Sequence, residues 1–140
     1  MAKVHGQALL DSFESLLQLA TIPSGTVKMY YLKSYTPNPD DAYYSDISAS
    51  VAAGAPVVTV AGLAVNYDAT NDRMEIDFTD PSNASITTET DGIALVLDTG
   101  VAATSPVIYT TAIANLIPTD GTLSLTIDAQ GLFALGTNAA

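Results

Sequence analysis

The sequence contains no cysteine, which removes disulfides, thiolate nucleophiles and zinc–thiolate centres and leaves noncovalent contacts to hold the fold. Tryptophan is also absent, so a sugar-stacking cleft would lack its usual ring. Cations are scarce: Lys3, Lys28, Lys33 and Arg73 stand against fifteen acidic residues, for a formal net charge of −11. A field of that sign repels phosphate backbones instead of releasing counterions from them, so no nucleic-acid partner is expected. His5 is the single histidine. It lies beside Gly6 near a chain end that tends to fray, a poor place for the base of a Ser-His-Asp triad. No apolar run approaches the ~18 residues of a spanning helix. Asp11 and Glu14 interrupt the stretch where a signal peptide would be uniformly apolar. The expectation is a mature, soluble, untargeted chain with no membrane partner.

Apolar residues, by contrast, make up 48% of the 140 positions, ample for the core of one compact domain. Between His5 and Ala20, the residues Leu9, Leu10, Phe13, Leu16, Leu17 and Ala20 recur at three- and four-residue steps, which predicts one apolar helix face. Pro23 and Gly25 in "TIPSG" then break the helix, since proline lacks a backbone donor and glycine tolerates turn angles. Beyond this point "TVKMYYLK", "PVVTV", "LAVNY", "RMEIDF", "GIALVLD", "SPVIYTT" and "GTLSLTID" read as strands, separated by turn residues. In "RMEIDF", Met74, Ile76 and Phe78 alternate with Glu75 and Asp77, as in a half-buried antiparallel strand. Without helices between the strands, a parallel α/β sheet is excluded. The expected fold class is mainly β, with an N-terminal helix or arm over residues 1–25. An antiparallel β-sandwich or small barrel of about seven short strands follows over residues 26–140. The helix either covers its own domain or packs on a neighbour. Both placements bury Leu9, Phe13 and Leu16, which are therefore interface candidates.

Three motifs raise the question of chemistry. Asp98-Thr99-Gly100 after an apolar strand is the pattern of aspartic proteases, in which two such aspartates share a proton. That family requires a glycine-rich flap and a later glycine-ended strand well before a further helix; beyond Gly100 the only flap-like turn is "PTDG" and Leu135-Gly136 is followed by just four residues, whereas a strand-end turn requires only Asp and Gly in their preferred positions. "DATND" at Asp68–Asp72, followed by "MEIDFTD", crowds carboxylates without the order or the late glutamate of an EF-hand. Solvating turn aspartates are expected there, and "NAS" at Asn83–Ser85 reads as a loop. No catalytic residue, metal or cofactor is assigned. The remaining motif is "YTPNPDDAYYSDI", Tyr35 to Ile47. Tyr35, Tyr43 and Tyr44 offer contact area at low entropic cost, on a loop stiffened by Pro37 and Pro39. They either meet another protein or fold over the chain's own sheet.

The ordered series "VKMYYLKSYTPNPDDAYYSDIS", "VAGLAVNYDA", "MEIDF", "GIALVLDTGVAATSPVIYTT" and "LIPTDGTLSLTIDAQGLFAL" resembles a widespread group of small virion proteins of tailed bacteriophages, over roughly Val27 to Leu135. The shared features are a Tyr-Thr-Pro-Asn turn leading to Ser-Asp-Ile, an Asp-Thr-Gly turn before Ala-Thr-Ser-Pro, and a closing Gly-Leu-Phe strand. The resemblance implies a noncatalytic virion structural protein in which Asp-Thr-Gly is a hairpin turn. Size and acidity are consistent with a capsid decoration or cement protein on the head exterior. It would form a homotrimer, take the major capsid protein as partner, and make contact through Tyr35, Pro37, Asn38, Tyr43, Tyr44 and the helix face. A tail, neck or head-fibre component is the alternative. A carbohydrate-binding module and a protease of the Asp-Thr-Gly type stand behind it.

Overall fold

The computed structural model describes residues 27–61, 64–70, 73–80, 82–86, 88–116, 121–124 and 133–136. The expected N-terminal helix, with Leu9, Phe13 and Leu16, lies outside the described residues. Where it is described, the chain is mainly β. Its elements are β1 (Val27–Leu32), α1 (Tyr44–Ile47), β2 (Val58–Thr59), β3 (Ala64–Asp68), β4 (Arg73–Asp77), β5 (Ser82–Ile86), β6 (Thr90–Leu97), β7 (Val107–Leu116), β8 (Gly121–Ser124) and β9 (Phe133–Gly136). These strands belong to two compact units.

The first unit holds an open, four-stranded antiparallel sheet of order β2-β1-β6-β7, together with the antiparallel pair β5-β8. Its centre is the ladder between β1 and β6, which runs from Val27 opposite Leu97 to Leu32 opposite Gly92. From Met29 to Leu32 and from Ile93 to Leu97 every residue is buried, so both faces of these two strands are covered. That explains why "GIALVL" is a continuous apolar run where a sheet with one wet face would alternate. One face carries Tyr30, Leu32, Ala94 and Val96 and is covered by Ile47, with Tyr35, Tyr44, Val51 and Val107 packed around it. The opposite face carries Met29, Tyr31, Ile93 and Leu95, which share it by register. Gly92 marks a close approach between neighbouring strands: a Cβ there would lie 3.2 Å from the Thr111 carbonyl oxygen and 3.4 Å from Leu32 Cβ.

The second unit contains the antiparallel sheet β3-β4-β9. β3 and β4 form a hairpin from Ala64 opposite Asp77 to Asp68 opposite Arg73, extended by a hydrogen bond from the Thr79 N–H to the Ala61 carbonyl at 2.9 Å. Asp68, one of the crowded acids, accepts the Thr70 N–H at 2.9 Å and so begins the turn, the ordinary work of an aspartate in that position. Phe78 is buried just past the strand.

The strand reading differs from the structure in instructive places. β2 shrinks to two residues of "PVVTV", and β7 runs on to Leu116. "NAS", read as loop, lies inside β5. Nine strands occur among the described residues, in three hydrogen-bonded sheets.

Candidate interaction surface

Beyond β1 the chain reverses at Ser34, whose φ of +53° is a left-handed conformation uncommon outside glycine. The Asp91 carboxylate holds it there, accepting the Ser34 N–H at 2.8 Å and the Tyr35 N–H at 3.3 Å. The following turn is tied by its own side chains. The Tyr35 hydroxyl donates to Asp41 at 2.8 Å, the Asn38 amide donates to Asp41 at 3.3 Å, and the Asn38 side-chain oxygen accepts the Asp40 N–H at 3.1 Å. Asn and Asp favour such turns because their short side chains bond nearby backbone groups. At α1, Asp46 reaches back to accept the Tyr43 and Ala42 N–H groups at 2.9 and 3.1 Å, which satisfies donors that a helix start leaves open. Ile47 is then buried in the sheet cluster. The Tyr44 ring lies against Tyr30 with centroids 4.6 Å apart and planes tilted by 34°.

A second loop, between β6 and β7, carries the Asp-Thr-Gly motif. Asp98 accepts the Gly100 N–H at 2.8 Å, and Gly100 takes φ +84°, a conformation that suits glycine. Ser105, buried, accepts the Thr99 N–H at 3.0 Å and donates to the Val101 carbonyl at 2.9 Å, while the Thr99 and Thr104 hydroxyls meet at 2.8 Å. The motif is a turn, as expected. The partner of Asp98 is Lys28, an ion pair between the turn and β1. The bond to Lys28, and then that from Gly100, hold the Asp98 carboxyl below its ordinary range, and the bond to Asp98 raises Lys28. A shared-proton dyad needs a second carboxylate beside the first; Asp98 has an ammonium there instead.

The sign of the resulting pH dependence follows. Asp98, depressed, contributes stability above its unfolded-state value near 3.9 and loses it as pH falls through the lower folded value. Lys28, raised, contributes below its unfolded-state value near 10.4 and loses it as pH rises through the higher folded value. The pair is partly exposed, with side-chain exposures of 33% and 22%, so a contribution of about 0.2–1 kcal/mol is expected across the intervening window. Lys28→Met should flatten the acid limb of a stability–pH profile by that amount. An acid limb of unchanged depth would show that the pair carries none of it.

The two loops are stitched together. Tyr43 bridges Pro106, the Tyr44 N–H donates to the Ser105 carbonyl at 2.8 Å, and the Val107 N–H donates to the Ala42 carbonyl at 3.0 Å. The predicted interface residues therefore separate. Tyr35 and Tyr44 are half-buried against the chain's own core cluster, while Pro37, Asn38 and Tyr43 face solvent, Tyr43 at 44% exposure. On the adjoining loop Val101 is also exposed. Asp41, Asp46 and Asp91, which build the surface, were not singled out from sequence. Asp46, three residues after Tyr43, has the spacing of a helix-start box but neither of the residue types that mark one in a sequence; Asp91 lies 57 positions from Ser34 and has no local signal. Among the described residues no group of three or more His, Cys, Asp or Glu side chains is placed to hold a metal ion. Comparison of the chain with protein-family models, with curated proteins and with solved structures finds no match.

Proposed function

We propose that this chain is a noncatalytic structural protein of a tailed-phage virion, an antiparallel β-sandwich that decorates the outer head surface and cements the shell. Homo-oligomerisation and the major capsid protein as partner belong to the same reading. The observation that supports it best is an exposed tyrosine, Tyr43, carried on a loop whose turns are already fixed by Asp41, Asp46 and Asp91. A contact surface ordered before binding loses less entropy on association, and Tyr is among the residues that dominate protein interfaces. A protein that binds only the assembled shell stabilises it by mass action, so many weak contacts together oppose its disruption.

The test is co-sedimentation of the protein with heads that lack it, followed by the midpoint of their thermal disruption. Saturation at a fixed ratio to the major capsid protein and a raised midpoint are expected. Tyr43→Ala should weaken binding by about thirtyfold, as loss of an interface hot spot does, while changing monomer stability by no more than about 0.5 kcal/mol. Tyr44 is unsuitable as a probe, because its ring packs on Tyr30 and its loss would disturb the fold itself. Binding to tails or necks alone would replace the head assignment with the alternative one, and binding to no virion part would overturn the reading.

A further inference from the structure

β7 ends its sheet, and among the described residues no strand lies beyond it. The bridge from Ala42–Tyr44 occupies its outer side only at the start, where Val107 donates to Ala42. Which backbone groups face outward further along follows from the ladders. Tyr31 accepts the Ala52 N–H on the side of β1 away from β6, so Tyr30 and Leu32 turn their backbone groups toward Ala94 and Gly92. Alternation then turns Ile93 toward its partner Thr111, in keeping with the Thr111 carbonyl lying close to Gly92. The groups of Thr110 and Ala112 therefore point away from the sheet. Ala112 is exposed, and its carbonyl receives a hydroxyl bond from Thr111 at 3.3 Å, a side-chain donor standing where a ladder partner would.

Long uncharged edges are templates for another strand, and proteins usually blunt them with lysine, proline or brevity. The opposite edge, β2, is blunted by its two-residue length. β7 has ten residues with no charge and no proline, within a stretch from Thr99 to Thr119 that contains no Asp, Glu, Lys or Arg. In a chain of net charge −11, this absence selects the occupant. A basic partner would be met best by retained carboxylates, whereas two copies of one acidic chain can approach only where like charges are not opposed.

We infer that the outer edge of β7 is a pairing site for β7 of a second copy of this chain. The isologous arrangement places Thr110 opposite Ala112 of the other copy and Thr111 opposite its equivalent on the two-fold axis, joining two four-stranded sheets into one. Thr111, facing its own β6 by hydrogen bonding, is then in the closely approaching, non-bonded position toward the second copy, where Thr–Thr pairs are favourable. The assembly is a dimer, which departs from the trimer expected from sequence. The inference does not rest on head binding.

Sedimentation equilibrium of the full chain over a range of concentrations tests it, with Thr111→Lys and Thr111→Glu as variants. Wild type should show reversible dimerisation. Each variant alone places like charges directly opposite and should weaken pairing by about tenfold or more, and an equimolar mixture of the two should restore it, a rescue that misfolding would not produce. A wild type that stays monomeric, a mass other than the dimer's, association unchanged in both variants, or a mixture that fails to pair would each overturn the inference.

Discussion

Ile47→Ala is expected to lower the free energy of unfolding by about 2–5 kcal/mol, the largest effect of any substitution in the loop. A helix of four residues, Tyr44–Ile47, cannot sustain itself, because helix nucleation is unfavourable and short segments are marginal in water. What keeps it folded is burial. Ile47 is fully buried among Tyr30, Leu32, Ala94 and Val96, and truncation leaves a cavity under a loop that has no disulfide to hold it down. Urea unfolding followed by circular dichroism should show the midpoint moved down with an unchanged slope, the mark of altered stability at constant exposed area. A shift worth less than about 1 kcal/mol would mean that the site collapses to fill the gap and that Ile47 is not the anchor.

The second large effect is expected at Asp91. Its carboxylate accepts two backbone N–H groups, from Ser34 and Tyr35, and one of these belongs to a residue with positive φ. Asp91→Ala removes both acceptors and the support for the strained residue, with an expected cost of about 1–3 kcal/mol, reduced to the extent that water replaces the lost partners. Asp91→Asn keeps one oxygen acceptor and should fall between wild type and Ala. The specific readout is amide exchange, since protection at Ser34 and Tyr35 should drop in Asp91→Ala while that of Leu95 and Val96 in the centre of the sheet persists. Unchanged protection at Ser34 and Tyr35 would show that the turn is held by something other than Asp91.

Which parts of this structure were visible in the sequence depends on whether the cause is local. β1 and β6 were legible because their apolar and β-branched residues run together, and Asp98-Thr99-Gly100 because a turn at a strand end needs only those residue types. α1 was missed inside a segment read as loop, since four residues are too few for a helical period to show. β5 was missed because "SNASI" has the composition of a turn and is recruited by pairing with β8, a tertiary override of propensity. For the tyrosines, sequence identified the loop but not the direction of each ring. Tyr43 and Tyr44 are adjacent and alike in type, yet one faces water and the other packs on Tyr30. The register that separates them is set by the bridge to Pro106 and by Asp46.

The pairing of β1 also bears on how the chain comes into being. β1 lies along β6, with Met29 opposite Leu95, and on its other side it meets the two-residue β2 and a short bridge at Val51. On the ribosome, "VKMYYL" therefore emerges well before the strand that shields it. At ordinary synthesis rates the wait is on the order of seconds, long compared with collapse of a chain this size. Yield in the cell is then governed by what guards an apolar segment during translation, and slowing elongation between β1 and β6 should favour aggregates over folded product.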